Sequence, residues 1–325
     1  MTTKEKLLAY FEAHRGIFYS GQQLAENLGV SRTAIWKGVQ SLREDGYAIT
    51  AVTNRGYCFS EDTDILSAQG IRKYLSNLSL VDLTVLPVVT STNLLLKEKA
   101  DAGAPQGACV IAGEQTKGRG RRQRSFYSPA NSGVYLSLLL RPENRLLSET
   151  VHITTMAAVA MCEAIESISG QKASIKWVND IFLEDKKVCG ILTEASLNME
   201  NGRVAYAVLG AGVNVYLPEG GFPEEVKDVA TAIFSSPQKD AKNRLASAFL
   251  QRFFAYYEQE DSHRYVEEYR RRCFVLGKAV QVWRGDKKTD AYAVDIDEAC
   301  HLLVRYDDGN EETLSSGEVS VRMND

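Results

Sequence analysis

Several large classes of protein are ruled out by what this 325-residue sequence lacks. It contains no unbroken run of 18 or more apolar residues, and its opening segment, MTTKEKLLAYFEAHRG, is charged and amphipathic. Neither a membrane span nor a signal peptide is expected, and no membrane partner; the cytoplasm is the expected compartment. The six cysteines (Cys58, Cys109, Cys162, Cys189, Cys273 and Cys300) never form a CxxC pair, and the four histidines are equally dispersed. A disulfide framework or a protein-held metal site is therefore not expected. There is no surplus of positive charge: the formal net charge is −4, so any attraction to nucleic acid must be local. A complete GxGxxG is missing too. The GRGRRQ stretch at 118–123 has Gln123 in the third glycine place and leads into a strand-like run, and LGAGVN at 209–214 lacks the same glycine. No GxxxxGK[ST] occurs, so a Walker loop is excluded.

What is present divides into segments. The length exceeds what one core usually holds, so two or three domains are expected. Residues 1–60 read as three helices and a hairpin. Thr2 with Glu5, and Ser20 with Gln23, form capping-box signatures ahead of apolar helical faces. Gly29 closes the second helix, and Ser31 caps a third whose buried stripe is Ile35, Val39 and Leu42. The opposite stripe carries Thr33, Trp36, Lys37 and Gln40, with Arg32 in the first turn, and a hairpin turns at Thr53-Asn54-Arg55-Gly56. This spacing is that of a winged helix-turn-helix. Ser31, Arg32, Thr33, Lys37 and Gln40 are candidates for base contacts and Arg55 for a phosphate contact. The competing reading is a helical interaction domain with a solvated polar face.

A polar linker at 61–66 follows. From about 70 to 270, strand-like runs (LTVLPVV, ACVIAGE, GVYLSLLL, ASIKWV, VCGILTEA, VAYAVLGAGVNVY) alternate with helices near 92–101, 149–169, 241–258 and 262–272. Consecutive strands without intervening helices predict an α+β fold with a mixed sheet. The last fifty residues (AVQVWRGD, TDAYAVDID, CHLLVRYDDGNEETL, EVSVRM) predict a small β-barrel.

The most unusual stretch is GEQTKGRGRRQRSFYSP at 113–129, whose core KGRGRRQR holds five positive charges in eight residues. A solvated turn, a phosphate-binding loop and a nucleic-acid patch all remain open. Glycines allow close backbone approach, and guanidinium groups make bidentate contacts to phosphate or carboxylate. Such a loop repels itself when empty. IKWVND at 175–180, expected at a strand end, and DKKVCGIL at 185–192, with its lysines expected before the next strand, add cations that converge on a phosphoryl-like centre.

Ser91-Thr92-Asn93, EQTKGRGRRQRSFYSP, KWVNDIFL, KKVCGILTEA and LGAGVNV occur in the order and spacing of biotin protein ligases, and with the winged head the whole chain resembles the members of that family that also act as repressors. The resemblance implies a DNA-binding head (1–62), a central catalytic domain of the class II aminoacyl-tRNA-synthetase/biotin ligase kind (63–272) and an SH3-like barrel (273–325). It implies an ATP-dependent, AMP-forming biotin–[acetyl-CoA-carboxylase] ligase using ATP, Mg²⁺ and biotin, with biotinyl-5′-AMP as bound intermediate and corepressor. It also implies a biotin carboxyl carrier protein domain and operator DNA as partners, and a ligand-promoted homodimer.

Carried over by position, Ser91, Thr92, Asn93 and Gln115 would contact biotin's ring and ureido group. Arg119, Gly120 and Arg121 would wrap carboxyl and phosphate, and Lys187 would hold the biotin carboxyl. Lys176 would stabilise the phosphoryl charge, with Asn179 or Asp180 orienting groups or the Mg²⁺ that arrives with ATP. Asn214 would face the phosphates, and Leu217 to Val229 would form part of a lid. The sequence departs from the family at Gln123 (usually glycine), Phe126 (commonly tryptophan) and Val178 (usually proline); none of these removes a cation. A lipoate or octanoate ligase, a ligase without repression and a biotin sensor without ligase activity are the alternatives.

Overall fold

The computed structural model describes residues 1–76, 81–142, 150–198, 202–258, 263–284 and 287–321. The sequence-predicted element ends at 149, 262, 285–286 and 322–323 lie outside the described residues. By backbone proximity the chain forms two compact units, Met1–Asn77 with Pro237–Ser247, and Leu78–Ser236 with Ala248–Asp325.

In the first unit, α1 (Thr3–Ala13), α2 (Gly21–Leu28) and α3 (Arg32–Glu44) precede the hairpin β2 (Ile49–Val52) and β3 (Gly56–Phe59). Both predicted capping boxes form. Thr2 Oγ1 accepts from the Glu5 amide at 3.2 Å, and the Thr2 amide donates to Glu5 at 2.7 Å. Ser20 and Gln23 repeat the pair at 3.1 and 2.8 Å. Each such cap stabilises its helix by about 1 kcal/mol. Gly29 ends α2 at φ 64°, the left-handed conformation that glycine adopts without a Cβ penalty. Leu7, Phe11, Leu24, Ile35, Val39, Leu42 and Phe59 close a single core, with the Phe11 and Phe59 rings stacked. A strand that the periodicity did not predict, β1 (Phe18–Tyr19), pairs with β3, so the sheet order is β1-β3-β2. Two residues are too few to show a period.

A short helix, α4 (Ala68–Arg72), and residues 237–247 complete this unit. They are tied to α1 by buried charge. Asp240, fully buried, accepts from Lys73 and the Tyr74 hydroxyl at 2.7 Å each and from Arg15 at 3.0 Å. Glu12, 3 % exposed, pairs with Arg15 at 2.6 Å and Lys73 at 3.1 Å. Burial pushes the Asp240 carboxyl up, but hydrogen bonds from Lys73, Asn243 and Tyr74 and the Arg15 charge outweigh it and hold it below its ordinary value.

The second unit is built on seven strands: β4 (Asp82–Leu86), β5 (Ala108–Ala112), β6 (Gly133–Leu140), β7 (Ala173–Lys176), β8 (Asp180–Leu183), β9 (Lys186–Leu197) and β10 (Val204–Asn214). Their order is β4-β5-β6-β10-β9-β8-β7, with β4 and β5 parallel and the remaining neighbours antiparallel. This is the predicted mixed sheet. Lys186 and Lys187, expected before the strand, stand inside β9, because its hairpin with β8 turns as early as Glu184–Asp185. Helices α5 (Thr92–Asp101), α6 (Thr150–Ser169) and α8 (His263–Arg272) belong to this unit, as does α7 (Ala241–Tyr257) from Ala248 onward. By length and composition α6 matches a membrane span. Its residues from Ile153 through Cys162 are nonetheless buried without a break, as in a core helix. Strands β11 (Ala279–Arg284), β12 (Lys287–Ile296), β13 (Leu302–Tyr306), β14 (Glu311–Leu314) and β15 (Glu318–Val321) form an antiparallel sheet in the order β14-β13-β12-β11-β15.

Candidate active site

The basic loop is a small hairpin. The Phe126 amide donates to Gly118 O at 3.0 Å and the Gly120 amide to Arg124 O at 2.7 Å, which leaves Arg121, Arg122 and Gln123 to make the bend. Gly118 is required there: a Cβ would lie 2.3 Å from Phe126 O. Arg122 and Gln123 hold φ of 53° and 63°, so Gln123 occupies a left-handed position that favours glycine, the residue usual there in the family. The self-repulsion expected of the loop is offset by acceptors. Arg119 meets Glu194 at 3.2 Å, Arg121 donates to Asn179 Oδ1 at 3.0 Å, and Arg122 and Arg124 reach Glu318 at 3.3 and 3.0 Å. Burial lowers the Arg121 guanidinium below its ordinary value, against the opposing charge of Asp180.

Two cavities meet along this loop, sharing Arg119, Phe126, Gly190 and Leu192. The first is neutral and polar, and it is formed at the start of α5. Ser91 lines it; its carbonyl accepts from the Leu95 amide at 3.1 Å, but its hydroxyl makes no bond to the helix it caps. The Thr92 amide and hydroxyl both donate to Gln115 Oε1, at 2.9 and 3.1 Å, and Gln115 Nε2 donates to Ser128. Asn93 Nδ2 donates to Glu194 at 2.9 Å. Ser137, on β6 and fully buried, stands 2.7 Å from Thr92 Oγ1 and 2.6 Å from Asn93 Oδ1. The floor is bare main chain. Gly212 and Gly190 face each other across β10 and β9, and a Cβ on Gly212 would lie 2.5 Å from the Phe126 ring.

The second cavity is cationic. Arg119, Gly120, Arg121, Lys176, Asn179, Asp180 and Lys187 all line it, with Val226 and Val229 from the segment expected to be a lid. Lys176 ends β7, and Trp177 and Val178, joined by a cis peptide, lead into β8. Lys187 Nζ pairs with Asp180 at 2.7 Å, and Asn179 Nδ2 donates to Asp180 at 3.1 Å, so a continuous chain runs Arg121–Asn179–Asp180–Lys187. Among the described residues Lys176 makes no ion pair, which leaves its charge available. The Lys187 backbone also pairs with the end of the segment expected to form part of a lid and with the chain just beyond it: its amide donates to Val229 O, and Thr231 N donates back to its carbonyl, each at 2.8 Å.

One candidate is not placed with the others. Asn214 stands at the end of β10 with its side-chain amide on Thr231 O at 3.0 Å, and it lines neither cavity. Three residues that the sequence reading passed over are part of the site. Ser137 and Glu194 hold Asn93, and Glu318 holds the loop. Ser137 lies in a strand buried at every position, where periodicity carries no signal.

In the first unit the polar face of α3 is solvent-exposed at Ser31, Arg32, Thr33, Trp36 and Lys37 and half-buried at Gln40. The Ser31 hydroxyl accepts from the Ala34 amide at 3.2 Å, so it serves as a helix cap. Arg55, at the wing tip, lies over the Phe18 ring at 4.0 Å.

Residues 85–214 match the model of the biotin/lipoate A/B protein ligase family, residues 3–58 that of an HTH domain, and residues 275–322 that of the biotin protein ligase C-terminal domain. The chain is 39 % identical to the bifunctional ligase/repressor BirA of Bacillus subtilis (strain 168) over 233 residues, 71 % of each chain. It is 32 % identical to that of Escherichia coli (strain K12) over 325 residues, covering 99 % of this chain and 98 % of the relative. A biotin protein ligase from Aquifex aeolicus, solved in complex with biotin and ATP, superposes with a TM-score of 0.62 at 28 % identity, over 75 % of this chain and 99 % of that one. With a neutral polar cavity opening onto a cationic one, with HTH, ligase and C-terminal family models matching in turn along its length, and with 32 % identity to a ligase/repressor over nearly the whole of both chains, the chain belongs to the biotin protein ligase family, in its bifunctional ligase/repressor form.

Proposed function

We propose that this chain adenylates biotin with ATP and transfers the biotinyl group to a lysine of a biotin carboxyl carrier protein domain, and that it represses biotin genes with biotinyl-5′-AMP as corepressor. The junction of the two cavities carries this reading. Ser91, Thr92, Asn93 and Gln115 supply neutral donors and acceptors suited to a ureido ring. Arg119, Gly120, Arg121, Lys176 and Lys187 supply positive charge and backbone approach where a carboxylate must meet a phosphate. Attack of the biotin carboxylate oxygen on the α-phosphorus expels pyrophosphate; the carrier lysine, once deprotonated, then attacks the acyl carbon and AMP leaves. Two anions must be brought together in the first step, so positioned cations are the main requirement. Lys187, held by Asp180, suits the biotin carboxyl, and Lys176, with no ion pair, suits the phosphoryl group and the leaving AMP. Arg121 and Asn179 suit the adenylate.

Among the described residues no group of three or more His, Cys, Asp or Glu is placed to hold a metal. Mg²⁺ would arrive with the nucleotide, with Asp180 and Asn179 as protein oxygens beside it. When bound, the ion neutralises phosphate charge. Asn214, whose side chain donates to Thr231 O two residues beyond the lid segment, acts by fixing that end of it, in place of a direct phosphate contact. The functional segments we assign are 1–62 for DNA, 63–272 for ligation and 273–325 for the C-terminal domain, working in the cytoplasm as a ligand-promoted homodimer.

Biotin-dependent ATP–pyrophosphate exchange tests the enzyme, with lipoate and octanoate as controls. Exchange with biotin alone, lost in Lys176→Ala and Arg121→Ala, is the expected result; no exchange despite biotin binding overturns it. A gel shift with and without biotin plus ATP separates the ligase-repressor from a ligase that has no operator.

A further inference from the structure

The groove between α3 and the wing contains an exposed apolar patch. Trp36, 53 % exposed, and Val52, 38 % exposed, line it together with Arg32, Thr33, Asn54 and Tyr57. A tryptophan left this open in a small unit with a closed core is not explained by packing. Its surroundings are cationic and polar: Arg32 lies one helical turn before it, Lys37 beside it, and Arg55 is anchored on the wing over Phe18. No carboxylate stands among Arg32, Thr33, Trp36, Lys37 and Gln40. An apolar ring among fixed cations suits a polyanion that also presents an apolar group, and the major-groove edge of DNA does so through the thymine 5-methyl. In a helix-turn-helix the first turns of the second helix meet base edges, and Trp36 sits in the second turn of α3.

We infer that Trp36 is a specificity-determining residue that reads a thymine methyl in the operator. The positive charge of Arg32, Lys37 and Arg55 supplies affinity for any duplex, in addition to the base contacts for which Arg32 and Lys37 are candidates, whereas the indole contact distinguishes thymine from cytosine and from uracil. This rests on the operator-binding reading above, and the test separates the two.

A duplex is first selected by the full-length chain, with biotin and ATP, from a random double-stranded library. Each thymine is then replaced singly by deoxyuridine, which removes one methyl and leaves the hydrogen-bonding edge unchanged. At one or two positions per half-site, deoxyuridine is expected to weaken wild-type binding about fourfold, the value of one buried methyl. In Trp36→Ala those same positions become indifferent, while binding to random duplex at low salt persists through Arg32, Lys37 and Arg55. Trp36→Phe, which keeps an aromatic ring, retains part of the discrimination. If every deoxyuridine duplex binds the wild type as well as its parent, or if the sensitive positions stay equally sensitive in Trp36→Ala, the inference is overturned. Failure to select any duplex overturns operator binding itself.

Discussion

Replacing Ser137 by alanine removes a single oxygen beneath the neutral cavity. Ser137 is fully buried, in a strand whose eight positions are all buried, and its hydroxyl lies 2.6 Å from Asn93 Oδ1 and 2.7 Å from Thr92 Oγ1. Thr92 keeps its bonds to Gln115, and Asn93 keeps its donor bond to Glu194. Asn93 Oδ1, however, loses its donor in a place where water does not readily replace it. One buried acceptor left unpaired costs about 1–3 kcal/mol, and the vacated volume is too small to add much. The loss divides between fold stability and the order of the cavity wall, since the Asn93 amide must turn to find another donor. Urea unfolding should show the ligase unit weakened by about 1–3 kcal/mol. Calorimetry should show biotin binding up to about tenfold weaker, because 1.4 kcal/mol is a factor of ten. In pyrophosphate exchange the KM for biotin should rise more than kcat falls, since Ser137 acts by positioning groups that bind. A variant that loses stability yet binds biotin with wild-type affinity would show Ser137 to be a core hydroxyl only.

Three further outcomes are expected. Asp240→Asn leaves Arg15 and Lys73 with Glu12 as their remaining carboxylate, so the first unit should lose about 3–5 kcal/mol in urea. Because the folded Asp240 carboxyl lies below its ordinary value of 3.8, its contribution is complete above that pH and is lost as pH falls through the folded value; the variant should lack that acid-side slope, and an unchanged slope would assign it to other carboxylates. Gly212→Ala puts a Cβ 2.5 Å from the Phe126 ring, an overpacking that costs about 1–3 kcal/mol in unfolding experiments and should cost much less in a Phe126→Ala background. Gln123→Gly relieves about 1 kcal/mol of left-handed strain and adds a similar chain-entropy cost. Stability in urea should therefore move little while the Arg124 amide exchanges faster; slower exchange would show that strain dominates.

How much of this was legible depended on whether the signal was local. The caps at Thr2, Ser20 and Ser31 and the stripe Ile35, Val39, Leu42 are written within a few residues, and those helices form where the spacing puts them. The cations at 119, 121, 176 and 187 could be grouped because their motifs match a family. Their partners could not: Glu318 meets the loop across 194 and 196 residues of chain, and Glu194 and Ser137 are polar residues inside strands whose pattern is buried throughout or mixed. Pairing of that kind is set by sheet order. Residues 241–247 read as the start of a helix; only the packed structure ties Asp240, just before it, and Asn243 to Arg15 and Ser67. Asn214 was displaced for a related reason, since the segment that its amide holds follows it in the chain and has no regular period.

The facing glycines beneath Phe126 bear on what binding costs. A seat made of peptide planes has no rotamers to freeze when a ring or a ligand lies on it, so this wall of the cavity is as ordered before binding as after it. The cationic cavity that opens onto it is lined instead by long side chains, Arg119, Arg121, Arg122 and Arg124, each of which gives up conformational freedom when it closes on an anion. The two cavities together therefore pair a floor with no side-chain entropy to lose with a loop that has a great deal, and most of the ordering on ligand capture falls on the loop.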